Sequence, residues 1–181
     1  KLGELVTSSD VIDFDEVIIA TGVSPRDPKI KGHEKNNVVS YVEVLNGTGQ
    51  IGQKVAVIGA GGIGFDVSEY LVHENKSDNK QIEIPKWMKE WGVGDPNKTP
   101  GGLAESGPKP EAAVRQVTLM QRKKQKLGRN LGKTTGWIHR SALKMKNVQM
   151  IGNVNYEEIT SEGIMVSDGE LRENLSLIHI S

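Results

Sequence analysis

The chain has 181 residues, 23 basic and 23 acidic side chains for a formal net charge of 0, and no cysteine. That length holds one domain, or one domain and part of another; the missing cysteines exclude disulfides, thiol catalysis and cysteine-ligated clusters within it, and four scattered histidines give no metal-ligand spacing. With no run of roughly 18 apolar residues and no signal-peptide pattern, a soluble cytoplasmic protein without a membrane partner is the expectation.

Residues 4–7 and 11–20 have the apolar content of short strands, the second leading into Ala20-Thr21-Gly22 before Pro25 and Pro28 break the run. From 32 to 52 the chain is polar and punctuated by glycine, which suits a connection carrying a short helix near 42–45. Residues 54–58 then form an apolar run expected to be a fully buried strand. It turns through Gly59-Ala60-Gly61-Gly62-Ile63-Gly64 into helically spaced Phe65, Val67, Ser68, Tyr70 and Leu71. A strand, a Gly-x-Gly-x-x-Gly loop and a helix in that order make a dinucleotide-binding turn. Gly59 permits the tight turn, Gly61 lets the backbone approach a pyrophosphate, and Gly64 lets helix pack on strand, while the helix N-terminus offers free N–H groups to the anion.

The second strand of such a unit falls some fifty residues further on, at 116–120, instead of about twenty. The excess is a polar insertion at about 74–114 centred on Pro85-Lys86-Trp87-Met88-Lys89-Glu90-Trp91-Gly92. Trp87 and Trp91 are one helical turn apart, and anchoring the insertion to the domain is the favoured reading over ligand contact. Beyond the second strand come a basic loop, a helix over 135–145, a third parallel strand at 148–151, and an antiparallel hairpin at 155–160 and 164–167 turning near Glu162-Gly163. The last seven residues, Leu175-Ser176-Leu177-Ile178-His179-Ile180-Ser181, match the conceptual translation of a transposon-end sequencing adapter; 174–181 is set aside as a non-native tail.

The end of the second strand decides the cofactor. An acidic residue there would bind the ribose hydroxyls of NAD, whereas this chain has Gln121-Arg122-Lys123-Lys124. Arg122 is the expected partner of a 2′-phosphate through its planar fork, with Lys123 or Lys124 as a supporting point charge. Trp137 either lies against the nicotinamide or adenine ring or belongs to the core, and Lys133, Thr134 and Thr135 either contact phosphate or cap a helix. No acidic residue occurs between Glu111 and Glu157, while ten Lys and Arg do. A nucleic-acid module is the remote alternative; with Trp137 the one Trp or Phe among those charges, base stacking has little support and no nucleic-acid partner is expected.

Asp15 to Pro28 with its Ala20-Thr21-Gly22, followed by Gly59 to Gly64, resembles the flavoproteins in which an NAD(P)H domain is inserted into an FAD domain. Gly61-Gly62-Ile63-Gly64-Phe65-Asp66, Glu90-Trp91-Gly92, Gly101-Gly102-Leu103, Gln121-Arg122-Lys123 and above all Leu131-Gly132-Lys133-Thr134-Thr135-Gly136-Trp137-Ile138-His139-Arg140 are similar to the bacterial NADPH-dependent 2,4-dienoyl-CoA reductases. These are old yellow enzyme/trimethylamine dehydrogenase-like flavoproteins, and the similarity runs from about residue 4 to 173. It implies an α/β fold: a Rossmann-like NAD(P)-binding domain, three-layered with a parallel sheet and an antiparallel hairpin, inserted in a partial FAD-binding domain. Residues 1–30 would end the first FAD-domain segment, 31–53 connect, and 54–173 form a truncated NADPH domain lacking its returning strand, with marginal stability expected.

The resemblance implies hydride transfer from NADPH to FAD and, in a parent chain with an FMN barrel and an iron–sulphur cluster, reduction of a dienoyl thioester in unsaturated fatty acid β-oxidation. NADPH, FAD and the rest of that parent are the implied partners, and Ala20, Thr21 and Gly22, with Arg26 behind them, are implied to approach FAD. No catalytic residue is assigned here, His139 and Arg140 have no identified task, and a related FAD-dependent NAD(P)H oxidoreductase with a structural nucleotide domain is the alternative.

Overall fold

The computed structural model describes residues 3–22, 24, 25, 27–73, 84–167 and 176–179. Its centre is a pair of strands whose sequences alternate between two cores. In Lys54–Ile58 (β2), Val55 and Val57 enter one apolar cluster while Ala56 and Ile58 enter another; in Gln116–Met120 (β3), Val117 and Leu119 enter the first and Met120 the second. Strands covered on both faces are those of a parallel sheet, and β2 and β3 pair in parallel from Lys54↔Gln116 to Ile58↔Met120. Gln149–Ile151 (β4) takes the far edge of β3, while Ser176–His179 (β7) and Val38–Ser40 (β1) extend the sheet beyond β2, giving the parallel order β1-β7-β2-β3-β4. Strand order reverses between β2 and β7, the kind of switch point at which open α/β sheets bind ligands.

Three layers follow. Tyr41–Leu45 (α1), Gly62–Val72 (α2) and Gly136–Met145 (α4) cover one face through Val44, Phe65, Val67, Leu71 and Leu143. Tyr156–Ile159 (β5) and Ile164–Val166 (β6), an antiparallel hairpin, cover the other through Ile159, Ile164 and Val166, together with Val154 and Ile30. The hairpin is tied to the connection: the Ile159 amide donates to the Lys31 carbonyl at 2.8 Å, and Asn37 Nδ2 donates to the Thr160 carbonyl at 2.9 Å.

The expected strand at 54–58, its helix, the strand at 116–120, the helix ending at Met145 and the hairpin are all present. Three expectations are corrected. Residues 4–7 and 11–20 form no strand; the segment holds a 3-10 turn at Ser8–Asp10 and is otherwise irregular and exposed. A strand is stable only against a partner, and no sheet edge among the described residues pairs with this segment. The stretch expected as a polar connection contributes β1 as well as the foreseen α1. The sheet also has a returning strand, because backbone from the set-aside tail, β7, fills the slot between β1 and β2. The ladder there is made by main-chain groups, which ask of a sequence only that it extend, and Leu177 and Ile178 meet that demand.

The insertion is described from Ile84–Trp91 (α3) onward. Trp87 and Trp91 do meet, with ring centroids 6.3 Å apart, but Trp87 stays 45 % exposed. A polar tie fastens α3 to the domain: Lys146 Nζ, its side chain 3 % exposed, lies 2.7 Å from Glu90 Oε1 and donates to the Glu111 carbonyl at 3.0 Å.

Candidate nucleotide-binding site

β2 ends at the glycine loop, and the backbone there has requirements only glycine meets. Gly59 sits at φ 104° with its amide donating to the Met120 carbonyl at 2.8 Å, which ties the loop to the neighbouring strand. A Cβ on Gly64 would collide with the Gly59 carbonyl oxygen, so this glycine lets α2 begin directly over β2. Gly61 is different: its φ of −84° suits any residue, and a Cβ there would meet nothing within 4 Å. Protein packing therefore gives no reason for glycine at 61, whereas a ligand approaching the backbone does. Gly61 is also the N-cap of α2 and has no side chain to satisfy the first-turn N–H groups, which leaves them for an anion.

A cavity of about 230 Å³ opens at these strand ends. Gly59, Ala60 and Gly61 form its floor, Pro28, Ile30, Ile58, Leu131 and Tyr156 its apolar wall, and Arg122, Lys123 and Arg129 its charged rim. Among the described residues no acidic side chain lines it. The basic loop behind the rim is held in shape from within. Gln121, 9 % exposed, donates from Nε2 to the Lys123 carbonyl at 3.0 Å and to that of Gln125; Arg140 reaches the Gly128 carbonyl at 3.2 Å. Arg129 is held by a neutral partner, Gln125 Oε1 at 3.3 Å, and pairs with no carboxylate among the described residues.

Tyr156, in the wall of this cavity, is perturbed by its surroundings. Burial pushes its phenol above the ordinary range, against the opposing influence of the Arg122 guanidinium and of the Gly59 amide. That amide is already committed to Met120, and the Tyr156 hydroxyl is buried without a hydrogen-bond partner.

Of the residues expected from sequence, Gly59, Ala60, Gly61, Gln121, Arg122 and Lys123 meet in this one cavity. Gly62, Ile63 and Gly64 form the first turn of α2. Trp137, 58 % exposed, lies in the first turn of α4 and does not line the cavity; neither do Ala20, Thr21 and Gly22, which are exposed in the irregular N-terminal segment. Lys133, Thr134 and Thr135 are exposed before α4, where Thr135 is the N-cap without a side-chain cap bond. Arg26 lies outside the described residues. His139 has a structural neighbour, Glu69 of α2, at 3.6 Å. Sequence reasoning missed Pro28, Ile30, Arg129, Leu131 and Tyr156 as cavity residues. Arg129 carried a signal, a second arginine seven residues beyond Arg122, while Pro28, Ile30 and Tyr156 reach the site only through the fold.

The basic run from 115 to 146 is not one surface stripe. Lys146 is buried, and Arg115 and Arg140 are spent on the carbonyls of Leu71 and Gly128. Among the described residues no helix is long and apolar enough to cross a membrane, and no three His, Asp or Glu cluster as a metal site.

Residues 2–178 match the family described as pyridine nucleotide-disulphide oxidoreductase. A metal reductase of Desulforamulus reducens is 26% identical over 155 residues, covering 86% of this chain and 22% of that protein. A cinnamate reductase of Clostridium sporogenes is 36% identical over 78 residues, 42% of this chain and 11% of that protein. The chain thus spans less than a quarter of the length of these relatives. A 2-naphthoyl-CoA reductase in complex with 2-naphthoyl-CoA has the same fold, with a TM-score of 0.60 and 19% identity over 90% of this chain and 19% of that one. A pyridine nucleotide-disulfide family oxidoreductase from Enterococcus faecalis aligns over 92% of this chain and 31% of its own, with a TM-score of 0.50 and 21% identity. Because the family match spans residues 2–178, the chain belongs to the pyridine nucleotide-disulphide oxidoreductase family of FAD- and NAD(P)-binding flavoproteins.

Proposed function

We propose that the cavity takes NADPH and that this chain is the part of a flavoprotein oxidoreductase in which hydride passes from NADPH to FAD. The observation that carries the reading is the charged rim: Arg122, Lys123 and Arg129 gather, with no acidic neighbour among the described residues, where a dinucleotide places its adenosine ribose. A carboxylate there would suit the 2′-hydroxyl of NADH, whereas a guanidinium fork suits a phosphate. Gly61 and the first turn of α2 face the pyrophosphate, and Ile30, Ile58 and Leu131 supply an apolar wall. Gln121 acts from behind, since its amide nitrogen is spent on shaping the basic loop.

When bound, NADPH supplies the hydride; the chain's own residues bind and orient it. Ala20, Thr21 and Gly22 would approach FAD through main-chain groups, and Trp137, exposed in the first turn of α4, would cover a ring of the nucleotide. For the parent protein we propose reduction of a 2,4-dienoyl-CoA thioester with FMN and an iron–sulphur cluster, supported by the resemblance of 131–140 to that family. Residues 1–30 then end an FAD-domain segment and 54–173 form the NADPH domain, its sheet extended by β1 and β7.

Calorimetric titration of the full chain with NADPH and NADH, beside Arg122→Ala, tests the cofactor choice. NADPH is expected to bind tighter, by roughly tenfold or more for a charge-assisted contact, and the variant to lose that preference. Equal binding of the two nucleotides by the wild type would refute it.

A further inference from the structure

The hairpin layer sends one polar group into the nucleotide site, and the fold leaves that group without a partner. Tyr156 opens β5, packs against the cluster of Ile30, Ala56 and Ile58, and lines the cavity beside Arg122. Its hydroxyl is buried and makes no hydrogen bond, a condition native folds rarely leave unexplained. Two groups near it fail to satisfy it. The Gly59 amide is committed to Met120, and no bond joins the phenol to the Arg122 guanidinium, which is itself donor-only. Arg122 pairs with no carboxylate among the described residues. Two donors at one cavity edge, with no acid among the described residues there, share one need: an acceptor, and beside a guanidinium one that carries negative charge.

We infer that Tyr156 is a specificity-determining residue, its hydroxyl donating to the 2′-phosphate of NADPH alongside Arg122. The inference rests on the NADPH reading above. The hydroxyl is closed to solvent, so its bond to a phosphate requires a neighbouring side chain to move; Arg122 is exposed and pairs with no carboxylate among the described residues. The hairpin thereby takes part in nucleotide choice, although it lies on the opposite face of the sheet from the glycine-loop helix.

The test uses the full chain as wild type, Tyr156→Phe and Arg122→Ala, titrated with NADPH and with NADH, and 31P NMR of bound NADPH. Tyr156→Phe is expected to weaken NADPH about tenfold, the worth of a hydrogen bond to a charged group, and to leave NADH unchanged. The 2′-phosphate resonance should move while the pyrophosphate resonances stay. Removing an unpartnered hydroxyl should also leave the melting temperature at or above that of the wild type, and a clear fall would mean the hydroxyl is bonded within the fold and would overturn the inference. Equal weakening of both nucleotides would overturn it in favour of a ribose or loop contact, and so would unchanged NADPH binding. A wild type that does not prefer NADPH, or a preference that survives Arg122→Ala, refutes the NADPH reading itself and the inference with it. A preference lost in Arg122→Ala yet intact in Tyr156→Phe refutes this inference alone.

Discussion

Two stretches of this chain have similar apolar content and opposite fates. In 55–72, Val55, Val57, Val67 and Leu71 have no exposed surface and Phe65 is 1 % exposed; in 3–22, Leu5, Ile12, Phe14, Ile18 and Ile19 are 68 % to 90 % exposed. The difference is not hydrophobicity but pairing. β2 has hydrogen-bonding neighbours on both edges, β3 and β7, and a layer on both faces, so each apolar side chain that extends from it meets another. The N-terminal segment has no such neighbour among the described residues, and its large apolar side chains stay exposed. Burial is thus a property of the ladder a segment joins, and a strand-like sequence supplies only half of it.

The sharpest way to break this comparison is to truncate one phenylalanine from each stretch. Phe65→Ala is expected to cost about 3–5 kcal/mol in urea unfolding, through lost burial and the cavity left against Gly128 and the sheet. Phe14→Ala, in a side chain 68 % exposed, is expected to stay within about 0.5 kcal/mol. Comparable losses at both positions would show that the N-terminal segment is buried in solution and that the contrast is wrong.

A middling effect is expected where the insertion is fastened. Lys146→Ala removes the cation 2.7 Å from Glu90 while His73 lies 3.9 Å away, and should cost about 2 kcal/mol, less than for a fully buried pair because Glu90 keeps some exposure. Replacing both partners, as in Lys146→Met with Glu90→Leu, should recover most of that loss in the same unfolding assay. Failure to recover it would mean that the pair holds more than itself in place.

What could be read from the sequence follows the same division. Local signals located β2, α2, β3 and the hairpin, because alternation, glycine spacing and turn chemistry are written in neighbouring residues. Gly59, Ala60, Gly61, Arg122 and Lys123 could be grouped from sequence because in a dinucleotide-binding unit the glycine loop and the end of the next parallel strand lie side by side whatever the length of chain between them, and they line one cavity. Pro28, Ile30 and Tyr156 were not, because each reaches the cavity through a long-range pairing, such as the Ile159 to Lys31 bond that draws the connection onto the hairpin. Strands at 4–7 and 11–20 were misread for the complementary reason: composition records a strand's willingness to pair, and nothing about who is there. Arg140 lay inside a recognised motif, yet its bond to the Gly128 carbonyl could be known only once loop and helix were placed.

The smallest effects discriminate best, because the chain carries the same capping device in both stretches. At Ser40–Glu43, Glu43 Oε2 accepts from the Ser40 amide at 2.8 Å and the hydroxyl at 2.6 Å; at Thr7–Asp10, Asp10 Oδ2 accepts from the Thr7 amide at 2.9 Å and the hydroxyl at 2.6 Å. The Ser40 hydroxyl first and its amide second hold the Glu43 carboxyl below its ordinary 4.5, and the Thr7 hydroxyl and amide do the same for Asp10 below 3.8. A lowered folded-state value means a contribution complete above the ordinary value and lost as pH falls through the lowered one. For Glu43 that contribution reaches the whole domain, since α1 carries Val44, 1 % exposed, into the helical core. Ser40→Ala is therefore expected to lower global stability by about 1 kcal/mol, and the deficit of Glu43→Gln relative to wild type to hold steady near neutrality and shrink below pH 4.5. For Asp10 the same chemistry stabilises a turn that holds no buried residue, so Asp10→Asn should leave global unfolding unchanged at every pH while altering the local amide shifts of 7–11 in NMR spectra. If the Asp10→Asn deficit instead followed the pH course of Glu43→Gln, the N-terminal turn would be unfolding with the core, and identical local chemistry would no longer be separated by the ladder that one stretch joins and the other does not.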